Sequence, residues 1–132
     1  MPKSENARKG RDGEKLAALA LEEKGMKIIA LNFHSPKGEV DIIAQDGEAI
    51  VFVEVKAWSA YGIEDLQYGV NEKKQRRIIE TAKYFLAINR KYSEMTIRFD
   101  VVFVSPSAGH TDGSHKDGPS IRHLASAFTE CV

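Results

Sequence analysis

The sequence predicts one α/β domain in which a mixed sheet of four to five strands is flanked by helices, in the order α-β-β-β-α-β. Two segments repeat apolar residues at helical spacing, three β-type runs follow one another between them, and a further apolar run lies beyond the second helical segment. A chain of 132 residues has room for one core. We therefore expect a single domain over residues 1–132, with residues 1–9 flexible and residues 105–120 forming an exposed loop.

The N-terminal half of the chain predicts one helix followed by an antiparallel meander. Helix-forming residues dominate 10–24, and Gly25 suits the left-handed position that ends a helix. Strands are expected over three runs: 26–33, 39–45 and 49–58. Turn residues at 35–38 and the Asp46-Gly47 pair separate these runs. Because short turns join antiparallel neighbours, the three strands should form a meander.

The C-terminal half predicts a second helix and a strand that joins the sheet in parallel. Residues 60–69 have no clear periodicity and are expected to form a loop, after which Asn71 suits the N-cap of a helix that runs to about Asn89. Residues 95–105 form an apolar run, and because a helix separates this strand from the third strand, the two should be parallel. Residues 121–124 are expected to add a short final strand.

Charge and hydropathy limit the classes of function. Lysine plus arginine equals aspartate plus glutamate at 19 each, so no overall field attracts a polyanion and nucleic-acid contact would depend on local basic patches. Residues 1–11 are polar and basic without an apolar segment behind them, and the longest apolar stretch, 49–53, is too short to span a bilayer. Cys131 has no cysteine partner in this sequence. These features favour a cytoplasmic protein without membrane contact.

Charged residues interrupt two of the predicted strands. Glu39 and Asp41 lie in the second strand, and Glu54 and Lys56 lie in the third. Period-two geometry places each pair on one face of its strand, and the hairpin between the strands brings those faces together at one edge of the sheet. Because buried carboxylates need a compensating cation, this surplus of negative charge predicts a divalent metal with oxygen ligands, Mg²⁺ or Mn²⁺. Asp100, which alternates into a later apolar strand, is expected to be structural.

Such a site suits phosphodiester hydrolysis. Asp41, Glu54 and the Val55 carbonyl would hold the metal, and Glu14 on the first helix would add a ligand directly or through water. Lys56 would orient the attacking water or stabilise charge on the phosphate. The alternative is a structural ion-pair network, and a Glu-x-Lys run alone would favour it. The combination with Asp41, Glu14 and the element order favours the metal site.

A cluster of cations opens the second predicted helix. The expected nucleic-acid-binding residues are Lys73, Lys74, Arg76, Arg77 and, on the first helix, Arg11. They would contact phosphates beside the metal site. The alternative interpretation is the solvated face of a helix, and the sequence leaves the two interpretations equally open.

The spacing of Asp41 and Glu54-Val55-Lys56 resembles the Asp…Glu-x-Lys signature of the PD-(D/E)XK nuclease superfamily. Most of the chain is similar to the YraN-type family of uncharacterised bacterial proteins. The matching segments are Gly13-Glu14, Asn32, Gly38-Glu39-Val40-Asp41, Phe52-Val53-Glu54-Val55-Lys56, Lys74-Gln75-Arg76-Arg77-Ile78, Ala82 and Arg98-Phe99-Asp100-Val101-Val102. This resemblance implies a restriction-endonuclease-like fold and a pattern shared with archaeal Holliday-junction resolvases.

In those resolvases a helix Glu, a strand Asp and a Glu-x-Lys form the metal site, which implies that Glu14, Asp41, Glu54 and Lys56 form it here. Similar proteins usually carry a basic residue after this lysine, where this chain has Ala57-Trp58. The sequence therefore predicts a Mg²⁺-dependent endonuclease that acts on DNA in preference to RNA, with branched DNA suggested by fold analogy alone. The alternatives are a nucleic-acid-binding module that does not cleave and a protein-interaction domain. Whether the chain forms a homodimer is left open.

Overall fold

A computed structural model describes residues 4–57, 71–105 and 120–129, without the side chains of residues 4–12 and 120. Its elements are α1 (Ser4–Glu23), β1 (Lys27–Ser35), β2 (Gly38–Asp46), β3 (Ala49–Ala57), α2 (Glu72–Ile88), a 3-10 turn (Arg90–Tyr92), β4 (Thr96–Ser105) and β5 (Ser120–Phe128). The predicted α/β class is confirmed, and the order becomes α-β-β-β-α-β-β within the described residues. No helix in these segments has the length and apolar character that crossing a membrane requires.

The five strands form one mixed sheet in the order β1-β2-β3-β4-β5. β1, β2 and β3 form the predicted antiparallel meander. β4 runs parallel to β3, as expected for strands connected across a helix, and β5 is antiparallel to β4. The edge strands are therefore β1 and β5, and the strands that carry Asp41 and Glu54 lie inside the sheet rather than at its edge.

The two helices cover opposite faces of this sheet. Ala17 and Leu21 of α1 pack with Val51 and Val53 of β3. The other face carries Phe52 of β3, and its cluster includes residues of α2, namely Ile78, Ile79, Ala82 and Phe85. Because neighbouring strand residues point to opposite faces, this division makes a three-layer arrangement with the sheet in the middle.

Several boundaries differ from the sequence-based expectation. α1 begins at Ser4 rather than at residue 10, and β5 spans Ser120–Phe128 rather than 121–124. The longer β5 follows from its pairing with β4, which extends to Phe99 opposite Phe128, where the two rings stack at 5.1 Å. The predicted loops at 60–69 and 105–120 lie almost entirely outside the described residues, and the flexibility of residues 1–9 stays a prediction.

Asp100 on β4 joins that strand to β5. Its side chain is fully buried and accepts hydrogen bonds from Arg98 Nε at 2.9 Å, His123 Nε2 at 2.7 Å and the Ser126 N–H at 3.0 Å. Burial alone would raise its pKa, but these hydrogen bonds and the Arg98 charge hold the pKa of Asp100 at about 2. Asp100 therefore serves as an ionised anchor between strands, the structural role expected of it.

Candidate active site

β2 and β3 separate from each other where the charged residues begin. Their pairing ends with Ile42 opposite Val53, and one further step along each strand places Asp41 beside Glu54. Asp41 Oδ2 accepts a hydrogen bond of 2.8 Å from the Val55 N–H. The Asp41 carboxylate thus accepts the hydrogen bond that a backbone carbonyl of β2 would accept if the two strands stayed paired. This bond holds the carboxylate next to Glu54. The Val55 N–H therefore contacts Asp41, and the role of the Val55 carbonyl as a metal ligand stays a prediction.

Three carboxyl groups meet at this point. Glu14 of α1 interacts with Asp41, and Asp41 interacts with Glu54, which is only 5% exposed. We call Glu14, Asp41 and Glu54 the carboxyl cluster. The structure therefore brings together the three acidic residues that the sequence selected, although they come from a helix and two strands.

The carboxyl cluster has more negative charge than its surroundings neutralise. Burial, followed by the charge of Asp41, raises the pKa of Glu54 from 4.5 to about 7. Burial also raises the pKa of Asp41 against the opposing effect of the Val55 N–H. The pKa of Glu14 is raised as well, first by burial and then by the charge of Asp41. All three groups thus hold protons more tightly than usual, as expected where a cation is in short supply.

Lys74 is a cation in contact with the carboxyl cluster. Its Nζ lies 2.7 Å from Glu54 Oε2, and its backbone N–H donates a 2.9 Å hydrogen bond to Oδ1 of Asn71, the N-cap of α2. Burial acts to lower the pKa of Lys74, but the hydrogen bond and charge of Glu54 raise it overall. The sequence placed Lys74 among the phosphate-binding cations, whereas the structure places it against Glu54. The N-cap at Asn71 was the available signal, because it fixes Lys74 in the first turn.

A cleft of about 480 Å³ opens beside the carboxyl cluster. Asp41 and Glu54 line it from the sheet, Lys74 and Arg77 line it from α2, and the turn between β1 and β2 contributes Lys37. Carboxylates and cations therefore face one polar space, as binding of a metal together with a phosphate would require. Lys37 was not selected from the sequence, where a lysine in a turn carries no distinguishing pattern.

The wall of this cleft is formed by the turn packing against α2. Ser35 Oγ lies 3.1 Å from Thr81 Oγ1, and the buried Thr81 hydroxyl donates a 2.8 Å hydrogen bond to the Arg77 carbonyl. Gly38 has a φ of 154°, and a Cβ there would lie 3.3 Å from Arg77 Cβ. The absence of a side chain at Gly38 thus permits the close approach of the turn to α2.

Glu39 lies at the rim of the cleft. Its Oε1 is 3.2 Å from His34 Nδ1, and both side chains are largely exposed. Glu39 does not hydrogen-bond to the carboxyl cluster in the described contacts, but its charge acts on Glu14 and Asp41 and raises the pKa of each. It therefore adds to the local negative charge without belonging to the cluster.

The remaining predicted residues have different positions. Lys56 is partly buried two residues beyond Glu54, and within the described segments no ion pair joins it to the carboxyl cluster. Lys73 and Arg76 are exposed on α2. Arg11 lies in the part of α1 whose side chains are outside the description. The cations of α2 are thus divided between the cleft and the open surface.

The donor chemistry of the cluster suits a hard divalent cation, since all its side-chain ligands are oxygens. As the side chains stand, however, no set of three or more His, Cys, Asp or Glu residues in the described part of the chain is arranged to hold a metal ion. Binding a cation would therefore require these side chains to rearrange.

The segment that carries the cluster matches a family of known sequences. The model of the uncharacterised protein family UPF0102 matches residues 13–104, which include the whole carboxyl cluster and Lys74. The chain belongs to the UPF0102 family. This confirms the YraN-type resemblance of the sequence.

Curated UPF0102 relatives match over most or all of their length. The UPF0102 protein of Treponema pallidum subsp. pallidum is 42% identical over 132 residues, which is 100% of both chains. That of Treponema denticola is 40% identical over 129 residues, with 92% of this chain and 95% of the relative covered. That of Syntrophus aciditrophicus is 44% identical over 104 residues, with 77% and 80% covered. The sequence similarity to UPF0102 proteins therefore covers most of the chain, including the residues that line the cleft.

Proposed function

We propose that this UPF0102 protein is a Mg²⁺- or Mn²⁺-dependent endonuclease that hydrolyses phosphodiester bonds of DNA, with the restriction-endonuclease-like fold of the PD-(D/E)XK superfamily. The observation that carries the proposal is the carboxyl cluster, in which α1, β2 and β3 each contribute one acidic side chain to a set of neighbouring carboxyl groups. A fold keeps three such groups in contact at a cost of several kcal/mol, which a bound cation would offset.

In this mechanism Asp41 and Glu54 would hold the ion, and Glu14 and the Val55 carbonyl would supply further oxygen ligands. A divalent ion bound there would supply Lewis-acid chemistry, which polarises a phosphate and lowers the pKa of water. Lys56, two residues beyond Glu54 on the same strand, donates hydrogen bonds to the attacking water or to the phosphate oxygen that gains charge. Lys74 keeps Glu54 in place through their 2.7 Å ion pair.

DNA is the proposed partner because cations lie along one side of the cleft. Arg77 and Lys37 line it, and Lys73 and Arg76 are exposed on the same helix as Arg77. Phosphate contacts of this kind give affinity without sequence preference. Branched DNA is a narrower proposal that rests on fold analogy. We also retain the sequence-based expectation of a cytoplasmic location.

The second candidate is a nucleic-acid-binding module that does not cleave. The observation that favours it is the present arrangement of the cluster, in which Lys74 already neutralises Glu54 and the described carboxylates do not converge on one point. Such a protein would keep the fold and the surface cations but would not need a metal.

Nuclease assays separate these candidates. Linear, flapped and four-way DNA and single-stranded RNA are incubated with purified protein and Mg²⁺ or Mn²⁺, or with EDTA. We expect metal-dependent cleavage of DNA that is abolished in Asp41→Asn, Glu54→Gln and Lys56→Ala. Glu48→Gln is the matched control, because Glu48 is exposed in the turn at the other end of the β2–β3 hairpin.

The outcome of this panel also tests the DNA-binding residues. Lys73→Ala and Arg76→Ala should weaken DNA binding and reduce its salt dependence while the metal affinity stays unchanged. If the wild-type protein binds DNA but cleaves none of the substrates, the binding module replaces the enzyme. If it neither binds nor cleaves nucleic acid, both candidates are wrong.

A further inference from the structure

Two cations line the cleft without a described partner. Lys37 lies in the turn between β1 and β2, Arg77 lies on α2, and both are exposed. Among residues 4–57, 71–105 and 120–129, neither charged group has a hydrogen bond or an ion pair. Lys74 differs from them, because its ammonium group is already paired with Glu54 at 2.7 Å. Lys37 and Arg77 therefore remain open to an anion from outside the protein.

These two cations leave backbone segments that pack against each other. Gly38 follows Lys37 in the chain, and a Cβ on Gly38 would lie 3.3 Å from Arg77 Cβ and 3.7 Å from the Arg77 carbonyl oxygen. Two cations that leave one wall so close together repel each other, and an anion bound between them turns that repulsion into two attractions. The wall formed by the turn and α2 is therefore suited to hold one anionic group.

A chain of three hydrogen bonds connects the two backbones. The Lys37 N–H donates to Ser35 Oγ at 3.0 Å. Ser35 Oγ lies 3.1 Å from Thr81 Oγ1, which donates to the Arg77 carbonyl at 2.8 Å. Because the Thr81 hydrogen is directed at Arg77, the Ser35 hydroxyl is the donor in the bond between the two side chains. The Gly38 carbonyl is a second, longer acceptor for Ser35, at 3.3 Å.

The middle of this chain is buried, although both of its ends are exposed residues. Thr81 has no exposed surface, and Ser35 is partly buried. A hydroxyl that bonds to the carbonyl four residues earlier does not stabilise a helix. The bond that Thr81 forms with Ser35 is therefore its distinctive contribution, because it ties the turn that carries Lys37 to the helix that carries Arg77.

We propose that Ser35 and Thr81 are positioning residues that hold Lys37 and Arg77 as a two-cation clamp for one phosphate of the DNA backbone. Arg77 can bind two phosphate oxygens through its planar fork, and Lys37 adds a point charge from the turn. Fixing the two backbones before DNA arrives removes part of the ordering cost of binding. The inference rests on the nucleic-acid binding in the proposed function. It requires neither a metal nor cleavage, and so applies to both candidates.

Two kinds of substitution separate charge from position. Lys37→Ala and Arg77→Ala each remove a cation, whereas Thr81→Val removes the hydroxyl and Thr81→Ser keeps it. Lys27→Ala is the matched control for loss of charge, because Lys27 is exposed at the other end of β1. Thr96→Val is the control for loss of a hydroxyl, because Thr96 is exposed at the start of β4. Neither control residue lines the cleft.

DNA affinity is measured in EDTA by fluorescence anisotropy of a labelled DNA duplex over a range of NaCl concentrations, and thermal unfolding is recorded for each variant. Removing either cation should weaken binding about tenfold. Because both cations act on one phosphate, removing both should lower the slope of log affinity against log salt by about 0.9, rather than by the value of about 1.8 for two separate contacts.

Thr81→Val should weaken DNA binding by about threefold to tenfold and keep the wild-type salt slope. Both cations still reach the phosphate in this variant, but they must be ordered when DNA binds. Thr81→Ser and the two controls, Lys27→Ala and Thr96→Val, should bind DNA as wild type does. A purely structural role of Thr81 would lower the melting temperature of Thr81→Val and leave its DNA affinity unchanged.

The outcomes distinguish this inference from the proposed function. If wild type binds DNA and the Lys37→Ala and Arg77→Ala variants bind it equally well, the clamp is wrong and the proposed function stands. A slope that falls by about 1.8 in the double variant would also overturn the clamp. Wild-type affinity in Thr81→Val would overturn the positioning role; if that variant does not fold, Ser35→Ala breaks the same bond and takes its place in the test. A wild-type protein that does not bind DNA would remove the proposed function and the inference together.

Discussion

Replacing Glu54 with Gln should stabilise the metal-free protein at alkaline pH. The pKa of Glu54 lies at about 7 instead of 4.5, since burial and the neighbouring Asp41 oppose its ionised form. A folded-state pKa above the unfolded value means that protonation favours folding. This contribution to stability is fully present below 4.5 and is lost as the pH rises through about 7. Gln has nearly the shape of the protonated acid and never ionises.

The size of the effect follows from the two pKa values. At about 1.4 kcal/mol per pKa unit, the ionised Glu54 costs the folded protein about 3 kcal/mol relative to its neutral form. Glu54→Gln should therefore raise the free energy of unfolding by about 3 kcal/mol at about pH 8 and by less than about 1 kcal/mol at about pH 5. The test depends on how the difference in free energy of unfolding between Glu54→Gln and wild type changes with pH, rather than on its absolute size.

Urea denaturation in EDTA at both pH values measures this difference, with Glu48→Gln as the control for loss of a surface charge. Adding Mg²⁺ at the higher pH should stabilise the wild type and leave Glu54→Gln unchanged, because only the former keeps the full set of acidic ligands. A Glu54→Gln variant that is less stable than wild type at about pH 8, or equally stable at both pH values, would refute the charge argument.

Three further predictions concern Asp100, Gly38 and Lys74. Asp100→Asn should lower the free energy of unfolding by about 3–5 kcal/mol in urea denaturation at neutral pH, because it leaves the Arg98 charge without its buried partner. In the wild type the stability due to Asp100, whose pKa is lowered to about 2, should be lost as an acid titration falls from 3.8 through about 2. Gly38→Ala should cost about 1–3 kcal/mol in the same urea assay, since its Cβ meets Arg77 at 3.3 Å. In the wild type, the free energy of unfolding should fall as the pH rises through the Glu54 pKa of about 7. Because Lys74 lowers this pKa, Lys74→Met should move the fall to a higher pH in the same urea assay. A fall at the same pH would contradict the ion pair.

The hairpin and its two carboxylates could be predicted because the signals are local. The Asp46-Gly47 turn fixes the pairing of β2 with β3, and alternation then places Asp41 next to Glu54. Glu14 was proposed as an additional ligand and matched the family pattern, but nothing local determines which strand end a helix residue will reach.

The ion pair between Lys74 and Glu54 could not be read from the sequence, because the N-cap at Asn71 fixes Lys74 in the first turn but not the direction of its side chain. The rotation of α2 about its axis is set by how Ile78 and Phe85 pack beneath the sheet, and that rotation places Lys74 and Arg77 at the cleft. The C-terminal half of β5 was missed for a related reason: Ser126 is polar, and its place in the strand depends on the hydrogen bond from its N–H to Asp100 on β4.

Synthesis from the N-terminus determines the order in which the charged residues of the site come together. The hairpin with Asp41 and Glu54 is synthesised before α2, so the two acids would exist side by side without their lysine until residue 74 has emerged. Glu14 joins them only once α1 has docked on the opposite face. A chain whose synthesis has not passed residue 74 therefore lacks part of this set of charges, and any metal-dependent cleavage would be confined to protein whose helices have both reached their final positions.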